Sequence, residues 1–207
     1  TLMRSSAASD VYKRQIMKYK HQFHMNKNDL YCNAGMYLVD LKKWREEKVE
    51  DKIIKRIHEQ NGNVFFFEQT LMNWSCSGKI LQLPPKYNAY TLFWAFTYKN
   101  LICWRKPNAF YLESEVEEAK DNPIIIHFTR NFYMLSRPWI KGCDHPKTKE
   151  YVKYKLLTPW KQLEEDNRSK KSIRRYKLWH IIPQRILAIG AGVIYNEVRP
   201  KLWWKNE

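Results

Sequence analysis

Tyr31-Cys-Asn-Ala-Gly35-Met-Tyr-Leu-Val-Asp40-Leu41 opens with small and polar residues and then runs almost unbroken through apolar ones from Met36 to Leu41. Such a run predicts a strand over 31–41, buried on both faces inside a sheet. Asp40 stands where a helix N-cap belongs. Leu41, Trp44, Val49, Ile53, Ile54 and Ile57 then recur at helical spacing until Asn61-Gly62 supplies a stop, predicting an amphipathic helix over 41–60. A buried strand that feeds directly into a helix is the building unit of an α/β protein.

The pattern continues outward from this unit. Glu68 to Ser75 reads as a short helix bounded by Ser77-Gly78, and Lys79 to Leu83 as a short strand stopped by Pro84-Pro85. Residues 89–112 are aromatic and irregular. Glu113 to Asp121 reads as a surface helix, Ile124 to His127 as a buried strand, and Lys147 to Leu157 as a helix ended before Pro159. No internal repeat is visible.

The chain has 207 residues, enough for one sizeable domain, and 15% of them are aromatic, which argues for a packed core despite a mean hydropathy of −0.67. A formal charge of +16 calls for an acidic partner: phosphate-bearing ligands, anionic lipid or nucleic acid. Cys32, Cys76, Cys103 and Cys143 lie tens of residues apart with no Cys-x-x-Cys spacing, so free thiols in a reducing compartment are expected rather than zinc or disulfides. The longest apolar stretch, Ile181 to Tyr195, is interrupted by Pro183, Gln184 and Arg185 and falls short of a membrane span. Residues 1–15 lack the apolar core of a signal peptide, resemble a translated adapter remnant, and are set outside the fold as a non-native leader.

Five pieces, in order, resemble glycosyltransferase family 8. They are Tyr31 to Leu41; Phe67-Glu-Gln-Thr-Leu-Met-Asn73; Leu83-Pro-Pro-Lys-Tyr-Asn88; Pro123-Ile-Ile-Ile-His127-Phe-Thr with Arg137-Pro-Trp139; and Cys143-Asp-His-Pro146 through Thr158-Pro-Trp160. The resemblance implies the C-terminal part of a GT-A fold, α/β with a mixed sheet, over 16–160, followed by a basic aromatic helical tail over 161–207. It also implies a retaining, metal-dependent hexosyltransferase that uses a UDP-sugar and Mn2+ or Mg2+, with a cell-surface glycan or glycolipid of lipopolysaccharide or capsule type as acceptor.

Residue by residue, the resemblance makes His127 a metal ligand that joins an Asp-x-Asp pair supplied by an earlier part of the chain. Asn33, Ala34 and Gly35 line the donor-sugar pocket, where small residues permit close backbone approach and an amide can both donate and accept. Glu68 and Gln69 stand near the anomeric carbon, the carboxylate orienting hydroxyls and the Gln oxygen facing the developing positive charge. Thr70 replaces the family's second Asp, so a same-face displacement is expected rather than a carboxylate nucleophile. Arg130 replaces a Gly, and Arg137 stands in place of the Lys that meets the diphosphate, with extra residues between. No Asp-x-Asp occurs in the chain, so as written it is expected to be N-terminally truncated and to turn over little or nothing.

From Arg168 onward ten basic residues face two acidic ones, interleaved with Ile173, Tyr176, Leu178, Trp179, Ile182 and Trp203-Trp204. That pattern suits an anionic membrane surface along residues 168–205, placing the protein in the cytoplasm, peripheral to the inner face of the plasma membrane. A basic module that binds membrane or nucleic acid without catalysis is the alternative, nucleic acid being the disfavoured partner.

Overall fold

The computed structural model describes residues 2–6, 17, 20–26, 28–64, 66–105 and 110–198. Its first strand, β1 (Met3–Ser6), is the middle of a three-stranded mixed sheet. β2 (Tyr37–Val39) runs antiparallel to it with Val39 opposite Met3, and β3 (Ile80–Leu83) runs parallel with Ile80 opposite Met3. Leu2 and Met3 are 2% and 1% exposed and pack with Cys32, Val49, Cys76 and Ile80. This corrects the exclusion for residues 2–6, because Met3–Ser6 form the middle strand of the sheet and Leu2 is buried beside it. The rest of that excluded stretch lies outside the described residues.

The expected strand over 31–41 shortens to Tyr37–Val39 and lies at a sheet edge, with Leu38 56% exposed. The apolar run suggested burial on both faces, but an edge strand with one covered face needs only alternate positions inside. The expected helix over 41–60 is two helices, α1 (Leu41–Glu46) and α2 (Val49–Glu59), joined at Lys48, whose φ of 50° is left-handed. Trp44 and Val49 are five residues apart, which puts them on different faces of a continuous helix. The break lets both reach the same core, and Val49 is completely buried there. Asp40 caps α1 as expected, its Oδ1 accepting from the amides of Lys42 (3.1 Å) and Lys43 (3.0 Å).

α3 (Phe67–Ser75) follows, and after β3 a single 3-10 turn (Pro85–Asn88) leads into β4 (Ala89–Tyr90). β4 lies parallel to β5 (Ile126–His127), with Tyr90 opposite His127. β5 is shorter than the strand expected over 124–127, and Ile124 and Ile125 are exposed rather than buried. Residues 89–112, read as irregular, hold α4 (Leu92–Ala95) and α5 (Tyr98–Arg105) in the largest core, around Phe93, Phe96, Leu101 and Trp104. Apolar residues surround this stretch, so no amphipathic stripe marks it as helical.

α6 (Glu113–Asp121) covers that core with Val116 and Ala119, and α7 (Thr148–Lys155) lies further along the chain. The basic end forms α8 (Lys170–Ile181), a break at Pro183, α9 (Gln184–Val193) and a π turn (Ile194–Val198). α9 is integral to the core. The Gln184 side chain donates to the Ala95 carbonyl (3.0 Å) and accepts from the Asn100 side chain (2.7 Å), and a Cβ on Gly192 would meet the Cys103 and Trp104 carbonyls at 3.2 Å. Among the described residues no helix is long and apolar enough to cross a membrane.

Candidate functional site

α3 holds residues 31–35 through three side chains on one face, spaced i, i+1 and i+4. Thr70 shares a hydrogen bond with the Tyr31 hydroxyl (2.7 Å). Asn73, fully buried, accepts from the Cys32 amide (2.6 Å) and donates to the Cys32 carbonyl (2.8 Å), as a paired strand would. Gln69 accepts from the Ala34 amide (3.3 Å). The helix begins under strain, with Phe66 and Phe67 at φ of 60° and 43°, a conformation costly for aromatic residues.

A second set of bonds links this turn to His127. Asn33 Oδ1 accepts from the Gly35 amide (2.6 Å) and from Asn88 Nδ2 (3.2 Å). Because that atom accepts twice it must be oxygen, and the Asn88 amide can sit only one way round. Asn88 Oδ1 therefore faces His127 Nδ1, at 2.9 Å, and accepts its proton. The imidazole is then the Nδ1–H tautomer with its lone pair on Nε2. Burial lowers the His127 pKa, which favours this neutral form. A Cβ at position 35 would fall 2.5 Å from His127 Nδ1, so only glycine fits beside the ring.

A neutral histidine whose other nitrogen donates to an amide oxygen suits a metal ligand, and His127 fits one ligand position for a divalent cation. Among the described residues no group of three His, Cys, Asp or Glu side chains converges, so no complete metal site is found there.

Of the candidates named from sequence, the fold brings Asn33, Ala34, Gly35, Gln69 and His127 into one hydrogen-bonded cluster. Glu68 is exposed at the start of α3. Arg137 lies in the loop after His127, whose two ends are pinned where Ser136 Oγ donates to the Thr129 carbonyl (2.8 Å), and it lines a separate cavity. Asn73 and Asn88, which carry much of the positioning, had been quoted within motifs without a role. The four-residue spacing of Gln69 and Asn73 was the available signal for the first; none marked the second. His145 is structural: it is buried between Trp94 and Phe128, its Nδ1 accepts from the Lys147 amide (3.1 Å), and burial, with Lys147 adding to it, lowers its pKa to about 4.

Residues 6–141 match the profile of glycosyl transferase family 8. The chain is 30% identical over 171 residues to lipopolysaccharide 1,2-glucosyltransferase of Escherichia coli (strain K12), covering 80% of this chain and 45% of that one. It is 26% identical over 157 residues to general stress protein A of Bacillus subtilis (strain 168), covering 75% and 50%. The chain thus spans about half the length of these relatives. Among solved structures it resembles the galactosyltransferase LgtC in complex with donor and acceptor sugar analogs (TM-score 0.52, 15% identity, 84% of this chain and 55% of that one). It also resembles the bifunctional glycosyltransferase WbbM (TM-score 0.57, 15% identity, 85% and 30%). These likenesses show the GT-A fold, with the mixed sheet described above.

Proposed function

Because this chain belongs to glycosyl transferase family 8, we propose that it forms the sugar-facing part of a retaining hexosyltransferase that uses a UDP-sugar and a cell-surface glycan or glycolipid acceptor. The observation that carries this reading is the cluster joining Asn33-Ala34-Gly35, Gln69 and His127 through Asn88. It lines up a narrow glycine-floored turn, two fixed amides and an imidazole with a directed lone pair. Such preorganised polar groups at fixed positions are what a developing charge separation requires.

In this reading Asn33 and the backbone of Ala34 and Gly35 hold the donor hexose close. Gln69 is oriented by its bond to the Ala34 amide, which leaves the turn and the helix end as one rigid wall. Glu68, one residue earlier and exposed, orients sugar hydroxyls. The Thr70 hydroxyl is engaged with Tyr31, so this position offers no carboxylate nucleophile and a same-face displacement follows. His127 presents Nε2 toward a divalent cation, Mn2+ or Mg2+, which when bound neutralises the charge of the departing diphosphate. Arg137 meets the same diphosphate from the loop.

The exposed apolar residues Leu178, Ile181 and Ile186 beside Arg174, Lys177 and Arg185 support a peripheral position on an anionic membrane, at the cytoplasmic face. The same surface favours the second reading, a basic membrane-binding module without catalysis. Saturation-transfer NMR with UDP-glucose and UDP-galactose, with and without Mg2+, separates the two. Metal-enhanced transfer to the sugar protons, lost in His127→Ala, is expected. Transfer that is absent, or unchanged by that substitution, favours the module.

A further inference from the structure

The loop after His127 departs from the family pattern, with Arg130 in place of a Gly and extra residues before Pro138. Phe132 and Tyr133 in this loop both dock on α8: Phe132 meets Trp179 edge-on with ring centroids 6.1 Å apart, and Tyr133 stacks on His180 at 4.4 Å. The docked loop and the start of α8 enclose a cavity of about 490 Å³. Arg130, Arg137, Arg168, Lys171 and Arg175 line it, and no acidic residue does.

Charge at this cavity is one-sided. Like charges gathered around one space repel each other, and an anion among them removes that cost. α8 also carries cations and no acid in its first turn, at the end where its dipole favours negative charge. A phosphate monoester, with up to two charges and three terminal oxygens, suits such a set of guanidinium and ammonium groups best.

The cavity does not stand alone. Phe132 and Arg175 also line a neighbouring apolar groove of about 690 Å³, with Trp179, Ile186, Ile194 and Val198 along it. A cationic cavity that opens into an apolar groove complements a molecule with a phosphate at one end and hydrocarbon at the other. We propose that loop 128–137, α8 and α9 bind one lipid with a phosphate-monoester headgroup, the phosphate among Arg130, Arg168, Lys171 and Arg175 and the chain along the groove. This deepens the membrane-facing reading of α8 and α9 and rests on it.

The test uses phosphatidylcholine vesicles carrying either phosphatidate or phosphatidylglycerol at equal total surface charge, with co-sedimentation of the full chain. The expected result is saturable binding, about tenfold tighter to phosphatidate, the change one strong charge-assisted contact brings. Arg168→Gln with Arg175→Gln should lower phosphatidate binding to the phosphatidylglycerol level, and Ile186→Asn should weaken phosphatidate binding while far-ultraviolet circular dichroism is unchanged. Equal binding to both vesicles would overturn the pocket and leave the membrane reading standing; no binding to either would remove both. Glycerol 3-phosphate that competes as strongly as short-chain phosphatidate would make this a site for free phosphate. If Ile186→Asn converts a dimer to a monomer without touching lipid binding, the groove is an interface between copies, and the lipid assignment falls.

Discussion

The turn at residues 31–35 and the loop at 130–137 flank His127 in space and in sequence respectively, but they are held in opposite ways. The turn is anchored from within: Asn73, Gln69, Asn88 and Asn33 close their hydrogen bonds on one another and on the backbone. The loop is anchored by aromatic stacking behind it, and its Arg130 and Arg137 line a cationic cavity. Groups that satisfy each other keep one geometry before a ligand arrives. Groups that share one charge repel each other until an anion is present. Removing a side chain from the turn should therefore destabilise the protein, and removing a charge from the loop and α8 should not.

The largest effect is expected at Asn73. Asn73→Leu removes two buried hydrogen bonds to the Cys32 backbone and should cost about 3 kcal/mol in urea unfolding; a cost below about 1 kcal/mol would show that the turn is held by other means. Gly35→Ala comes next, because its Cβ would overlap the His127 ring. It should cost about 3 kcal/mol, and Asn88→Leu should cost slightly less. In nitrogen NMR of the metal-free protein, Asn88→Leu should turn a single Nδ1–H tautomer of His127 into a mixture, a change that a purely structural role would not produce.

His145 tests the packing behind both regions. Its folded pKa of about 4 lies below the free value of 6.5, so the unfolded chain binds more protons between these limits. Stability is therefore full above about pH 6.5 and falls by about 3 kcal/mol as the pH drops toward 4. His145→Asn, whose Oδ1 can take over the bond from the Lys147 amide, should flatten that profile; an unchanged profile would place the titration elsewhere. The smallest effect is at α8. Lys171→Glu replaces a cation with an anion in the first turn and should stabilise by about 0.5 kcal/mol, opposite in sign to every substitution in the turn.

Features governed by near neighbours were legible in the sequence. Asp40 as a cap, the α3 span and the break at Pro183 depend on residues within one or two turns. The break at Lys48 was missed, because the five-residue gap between Trp44 and Val49 was read as helical spacing within one helix over 41–60. Asn33, Ala34, Gly35, Gln69 and His127 were identified through a pattern of types in order, and the structure brings them together. Their partners were not legible, because Asn73 reaches Cys32 across 41 residues and Asn88 reaches Asn33 across 55. Met3–Ser6 were set outside the fold because residues 1–15 resemble an adapter remnant, and their place between β2 and β3 is set by strands more than thirty residues away.

The amino-acid sequence by itself determined the family, the local elements and the residue types available for chemistry, since all three rest on composition and short-range order. Only the tertiary structure decided which nitrogen of His127 keeps its lone pair, why position 35 must be glycine, and that the arginines after His127 face the start of α8. Those outcomes depend on distances of a few ångströms between residues far apart in the chain, and only packing sets such distances.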